Sequence, residues 1–527
     1  MPQTDPTFPP ALTAPELRAW LQDGQELALL DVREAGQFGE GHPFFAIPLP
    51  YSRLEPEALR LLPRRAVRTV LIDAGDGVAA RAAARLQALG FSQLWQLEGG
   101  AAAWTAAGYT LFQGVNLPSK TFGEQVEHHF HTPHISAVEL QRRQQAGEAL
   151  VLLDGRTLTE HRKMCIPGAI PLPNGELPVR WQALVPDATT PVVVHCAGRT
   201  RSIIGAQILR QLGLPNPVLA LENGTQGWAL AGLALEHGST RQPPTTLHAD
   251  AEARAAAQRE AESAGVPRLS AAQAQAWIDD AERTTYVLDV RSADEFAAAT
   301  LPGAHHAPGG QLLQATDQSI AVRGARVLLL DHEAVRAPVI AAWLARLGHQ
   351  TATVEGGIHA ALRLPSPPAW SAPEGRRLDG SRLAAWLQDQ RPVVLDGQPA
   401  LDHRRQHAAG ARWINRARLP RQSADLDRAG ALLVLAADPD SARLLAAELQ
   451  ALGHPQVHWA LQADWLAAGL PLDSSPDQPA DEEAIDHLFF VHDRHDGNLE
   501  AARRYLAWET GLLAQCQPDE LAAFSLR

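Results

Sequence analysis

Leu29-Leu30-Asp31-Val32-Arg33 closes a short apolar run on an acid, with a base two residues later. The phrase returns as Leu152-Leu153-Asp154-Gly155-Arg156, as Val287-Leu288-Asp289-Val290-Arg291 and, altered, as Val394-Leu395-Asp396-Gly397-Gln398. Recurrence at wide spacing marks a repeated structural unit. Each copy is preceded by an amphipathic stretch, at 14–21, 137–145, 271–278 and 381–387. Three are followed by a turn, Pro167-Gly168-Ala169, Pro302-Gly303-Ala304 and Ala409-Gly410-Ala411, leading into a short apolar strand. A second apolar run comes next: Val70–Ile72, Val192–Val194, Val327–Leu330 and Leu432–Leu435. After it stand a loop and an Ala/Leu-rich helix ending at Gly90, Gly213, Gly348 or Gly453. Short apolar strands alternating with helices predict mainly parallel sheets covered on both faces.

The expected fold is α/β, with four similar domains, each a mainly parallel sheet flanked by helices. The units are read as 1–114, 136–237, 268–367 and 376–474, with linkers at 115–135 and 238–267. Residues 478–527 match no repeat, and the spacing of Ile485, Leu488, Phe489, Ala501, Tyr505 and Trp508 predicts a helical C-terminal extension. Of 527 residues, 45% are hydrophobic and 20% charged, with a net charge of −13, which argues against nucleic acid as a partner. No apolar run reaches bilayer-spanning length, so no membrane partner is expected. Met1-Pro-Gln-Thr-Asp-Pro lacks signal-peptide character, and Cys165, Cys196 and Cys516 cannot build a disulfide framework; both suggest the cytoplasm. Lys120 and Lys163 are the only lysines, and both fall in the same region as two of the cysteines.

The Asp-x-Arg phrase, the Pro-Gly-Ala turn and the endings Leu97-Glu98-Gly99-Gly100, Leu221-Glu222-Asn223-Gly224 and Val354-Glu355-Gly356-Gly357 together resemble the rhodanese family. Trp104, Trp228 and Trp465 mark the ends of three copies. The resemblance covers nearly the whole chain to about residue 474, and the second copy is the closest.

Only the second copy carries His195-Cys196-Ala197-Gly198-Arg199-Thr200-Arg201-Ser202 at its strand-to-helix junction. Ligands of parallel sheets meet the carboxyl ends of strands, where helix N-termini present backbone N–H groups. Convergent amides and cationic side chains favour a thiolate over a thiol, so Cys196 is the expected nucleophile. Ala197, Gly198, Arg199, Thr200 and Arg201 are the expected donor-binding residues. In the other copies Cys196 aligns with Ala74, His332 and Ala437, in acidic loops that would repel a thiolate and an anion alike. Those copies are read as inactive. Cys165 and Cys516 are read as packing residues, with a resolving role open to Cys165.

Asp154 and Arg156 are expected to form a buried structural pair, and Trp228 to sit in the core or wall the pocket. The linker is too distinctive for a flexible tether, which would be rich in Gly and Ser. It is expected to lie along the second unit, with Lys120 or one of His128, His129, His131 and His134 near Cys196. A structural or pocket-lining role fits these histidines better than a metal, because no paired cysteines accompany them. No cofactor is expected.

The family resemblance implies a thiosulfate sulfurtransferase working through a Cys196 persulfide. The implied partners are a small sulfur donor and a thiol or cyanide acceptor, with a protein sulfur acceptor also allowed. Two alternatives remain open. An interaction scaffold would use the inactive units, whereas a related phosphatase or arsenate reductase would need a loop one residue longer than the one from Cys196 to Arg201.

Overall fold

The computed structural model describes residues 9–366 and 370–526, so the expected boundaries at 1, 367 and 527 lie outside the described residues. Four sheets share one strand order. In the second unit the order is His134–Ile135, Val218–Leu221, Val192–His195, Val151–Asp154, Ile170–Pro171, and every pairing is parallel. The fourth unit repeats it, with Leu432–Ala436 at the centre between Val457–Leu461 and Val393–Asp396. Central strands such as Val192–His195 are buried at every position, as a sheet covered on both faces requires.

The Asp-x-Arg phrase is a buried brace. Arg156 donates to Asp154 at 2.9 and 2.7 Å and to the Met164 carbonyl, eight residues on, at 2.6 Å. Arg33 spans to Gly41 and Arg291 to Ala299 in the same way. Gln398 reproduces the brace without a charge, bonding Asp396 and the Gln406 carbonyl at 2.8 Å each. The phrase therefore recurs because it pins the helix after the first strand.

The units pack in pairs through equivalent segments. In the second and third, a Cβ on Gly175 would lie 2.7 Å from the Gly310 nitrogen, so only glycine permits this approach. In the first and fourth, Arg416 reaches the Tyr51 carbonyl and the Glu55 carboxylate at 2.6 and 2.7 Å. The third also lends Val322–Arg323, antiparallel, to the edge of Leu27–Asp31. One apolar core runs through the first three units, while the fourth has its own.

Both linkers are more ordered than connections need be. Residues Leu117–Phe130 form a helix packed along Thr200–Gln211, close enough that a Cβ on Gly123 would lie 2.8 Å from Thr200 Cγ2. Ala251–Ser263 is a helix joined to the third unit by Arg346–Glu260 at 2.5 Å.

The C-terminal extension is helical only from Leu499, with helices Leu499–Thr510, Leu512–Gln515 and Pro518–Leu521. The stretch holding Ile485, Leu488 and Phe489 is a run of turns, and its backbone and side chains also bond other units. Asp486 accepts from the Ala400 amide at 3.0 Å, and the Ile485 carbonyl accepts from Gly36 at 2.9 Å. The extension ends on the third unit, where Ser525 N–H donates to the Arg346 carbonyl.

Candidate active site

Strand pairing places Asp154 opposite His195, Asp31 opposite Ile72, Asp289 opposite Leu330 and Asp396 opposite Leu435. The true counterparts of Cys196 are therefore Asp73, Asp331 and Ala436, one residue before the Ala74, His332 and Ala437 expected from sequence. The offset arises because His195 is polar but completes the strand, so the apolar run alone stops one residue short. A second contact confirms the register. The carbonyl of Cys196 accepts from Thr225 N–H at 2.9 Å, that of Asp73 from Ala101, and that of Asp331 from Ile358.

In the first and third units a carboxylate fills the sulfur's place, and in the fourth Ala436 stands there. Asp331 accepts from the amides of Ala334, Val335 and Ala337 at 3.1, 2.9 and 2.9 Å. Asp73 accepts from Gly75 at 2.8 Å and Ala79 at 3.0 Å. These amides correspond to those of Gly198, Arg199, Thr200 and Ser202. Among the described residues, no acceptor takes the N–H groups of Gly198 through Ser202. At the position of these carboxylates the second unit carries a thiol, in a loop that does without the positive-φ turns at Gly75, Gly77 and Ala334.

Cys196 is 2% exposed and accepts a hydrogen bond from Ser202 Oγ at 3.1 Å. Gly224 holds the loop's base from below; at its φ of +51° a Cβ would lie 2.2 Å from the Cys196 carbonyl oxygen. The cavity at the sulfur is about 120 Å³ and is walled by Cys196, Ala197, Gly198, Arg199, Thr200, Arg201 and Lys120. Every expected catalytic and donor-binding residue is therefore at one place.

The expected free positive charge of the loop is not. Arg201 is bound by Glu160 at 2.8 and 2.7 Å, and although burial works against it, that contact holds the Glu160 carboxyl down at about 2. Arg336 and Glu295 form the same two-toothed pair in the third unit, at 2.7 Å twice. The first unit has Gln37 and Val78 at these positions, and the fourth has Asp402 and Ser441, so the Glu–Arg pair is confined to the second and third units. Arg199 bonds Glu124 at 2.7 and 2.9 Å and also Glu127, both on the linker helix. Burial pushes Glu124 up to about 7 despite Arg199, and Glu127 supplies a second carboxylate.

Lys120 donates to the Tyr505 hydroxyl and lies 3.4 Å from Glu509 Oε1. Burial alone would lower its pKa, but Glu509 and Tyr505 together outweigh burial and raise it. Lys163 pairs with Asp496 at 2.7 Å, so both lysines of the chain bind the C-terminal extension.

Asp154 and Arg156 lie beneath the site. Asp154 also holds His161 at 2.8 Å and sits 3.7 Å from the buried His195, which burial holds down at about 4. Trp228 does not wall the cavity. It is core, and its indole N–H donates to the Ala234 carbonyl at 3.0 Å, as Trp104 and Trp465 do to theirs six residues on. His128, His129, His131 and His134 are exposed and outside the cavity: the first two lie on the outer face of the linker helix, His131 follows its end, and His134 begins the edge strand. Cys165 is buried and also outside it, with Arg241 near its sulfur. Burial pushes the Cys516 thiol up to about 12.

Sequence reasoning missed the roof. Phe490, Arg494, His495, Tyr505, Trp508 and Glu509 of the extension cover the cavity. Glu160 had a readable signal, since it stands in the repeats only where an arginine stands at the Arg201 position. The roof had none, because no other unit has a counterpart.

The rhodanese-like domain profile matches residues 13–107, 136–231 and 270–363, more than half of the chain. The chain belongs to the rhodanese family. Over 98% of its length it is similar to the crystal structure of a thiosulfate sulfurtransferase from Pseudomonas aeruginosa, with 40% identity, 99% of that chain covered and a TM-score of 0.89. It is 28% identical to a rhodanese-like domain from Anabaena, covering 20% of this chain and 79% of that one, with a TM-score of 0.18. Among curated proteins, it is 36% identical over 107 residues to an HTH-type transcriptional regulator of Mycobacterium tuberculosis. That match spans 20% of this chain and 45% of the regulator, so the chain spans less than half of that relative.

Proposed function

We propose that the chain is a sulfurtransferase that carries sulfane sulfur on Cys196, with thiosulfate as donor. The observation that carries this reading is the exchange at one position: carboxylates hold the loop amides in two inactive units, and a thiol stands there in the second. A persulfide anion on Cys196 would receive those amides as Asp331 receives them now.

The Cys196 thiolate attacks the outer sulfur of thiosulfate. A sulfur–sulfur bond forms, the bond to the sulfonate sulfur breaks with its electron pair, and sulfite leaves. A thiolate or cyanide then attacks the terminal sulfur, and the Cys196 thiolate departs. The amides from Ala197 to Arg201 hold the negative charge through both steps, as preorganised dipoles do in oxyanion sites. Arg201, Arg199 and Lys120 keep the loop and its wall in shape through their carboxylates. The six-residue loop from Cys196 to Arg201 favours this chemistry over phosphate-ester hydrolysis.

A cytoplasmic setting belongs to the same reading. Cys165, Cys196 and Cys516 are all free thiols, and no helix among the described residues is long and apolar enough to cross a membrane.

Mass spectrometry after incubation with thiosulfate tests the reading. One added sulfur atom is expected on Cys196, with none in Cys196→Ser and no turnover by that variant. Sulfur on Cys165 or Cys516 with Cys196 unmodified would overturn it.

A further inference from the structure

We infer that Arg494, on the C-terminal extension, is the residue that binds the anionic oxygens of the sulfur donor. The inference rests on the sulfur-transfer reading above and assigns its donor site. Four long cationic side chains wall the cavity: Lys120, Arg199, Arg201 and Arg494. The first three each hold a carboxylate, at Glu509, Glu124 with Glu127, and Glu160. Arg494 has no carboxylate within ion-pair distance among the described residues. Its guanidinium lies over the Tyr505 ring, 4.4 Å from the centroid, and its one hydrogen bond is a long contact to the Val491 carbonyl at 3.5 Å. Its Nε is buried without a partner.

A buried guanidinium donor with nothing to bind costs free energy, and an unmet donor in a site deserves an explanation. Here the explanation is geometric. The cation is stacked on an aromatic face that fixes its plane, and it walls the cavity that contains Cys196 opposite the loop. A dianion with its outer sulfur at Cys196 would present its sulfonate oxygens to the roof. A planar guanidinium can bind two such oxygens at once, which an ammonium cannot. His495 beside it is held down at about 3 by burial and by Arg494 itself, so it is neutral and offers hydrogen bonds without adding charge.

The assignment also explains the extension. A cavity of about 120 Å³ is well below the roughly 300–1,000 Å³ of pockets for larger ligands. The roof thus restricts the site to small anions while supplying their counter-charge.

Direct binding to the full chain separates donor recognition from chemistry. Thiosulfate affinity is measured calorimetrically in Cys196→Ser, then in Cys196→Ser with Arg494→Ala or Arg494→Lys. Arg494→Ala should weaken binding about tenfold or more, and Arg494→Lys should weaken it less. In the otherwise wild-type chain, Arg494→Ala should raise the KM for thiosulfate by a similar factor. Affinity within twofold of the parent in Arg494→Ala overturns the assignment. Turnover retained by Cys196→Ser defeats the sulfur-transfer reading itself, a result independent of Arg494.

Discussion

Glu509 Oε1 accepts a hydrogen bond from Thr200 Oγ at 2.8 Å, joining the first turn of the loop helix to a residue 309 positions further along the chain. The same carboxylate faces Lys120, and a Cβ on Gly198 would lie 3.0 Å from its other oxygen. The C-terminal extension is therefore built into the Cys196 loop. It also ties the loop to the linker helix, so three distant segments meet at one buried acid.

Glu509→Ala should destabilise the protein by about 3 kcal/mol, because it leaves the Lys120 ammonium buried without its counter-charge. Lys120→Met with Glu509→Leu should recover most of that loss, since apolar replacement of a whole buried pair is close to neutral. Urea denaturation of the two variants checks this. A double variant no more stable than Glu509→Ala would show that the ion pair is not the cause.

His161 should make stability depend on pH on the alkaline side. Burial alone would lower its pKa, but the hydrogen bond and charge of Asp154 together with Cys165 outweigh burial and hold it up at about 9. A raised folded value means that the stabilisation is complete below the ordinary value of about 6.5 and is lost as pH rises through 9. The difference between wild type and His161→Gln should shrink by up to about 3 kcal/mol between pH 6 and pH 10. His195, held at about 4, titrates in a separate window and does not confuse the comparison. Chemical denaturation at both pH values decides the matter, and a constant difference would refute it.

Asp331→Ala should cost about 1–3 kcal/mol of stability, because three loop amides lose their acceptor in a buried turn. Asp73→Ala should cost less, with two amides affected. Neither should change thiosulfate turnover, since neither residue approaches the Cys196 cavity. Thermal unfolding gives the first result and a steady-state assay the second. A large loss of turnover with unchanged stability would mean that the inactive loops serve catalysis directly.

The repeated phrase determined much by itself. Asp-x-Arg followed by a turn and a second apolar run marks a brace and a parallel sheet, and both depend on residues close in sequence. Cys196 and its loop were readable for the same reason, because one strand end and one helix start supply all of it. The position of the inactive counterparts was misread by one residue, since a polar residue such as His195 completes a strand through backbone pairing that hydropathy does not register. What only the tertiary structure decided is the charge and closure of the site. Arg199 and Arg201 look like free cations until Glu124, Glu127 and Glu160 are brought beside them from other elements. The extension looks like an appendage until Lys120 and Lys163 bind it and its side chains close over Cys196. Electrostatic pairing and burial depend on distance in space, and distance along the chain carries no record of it.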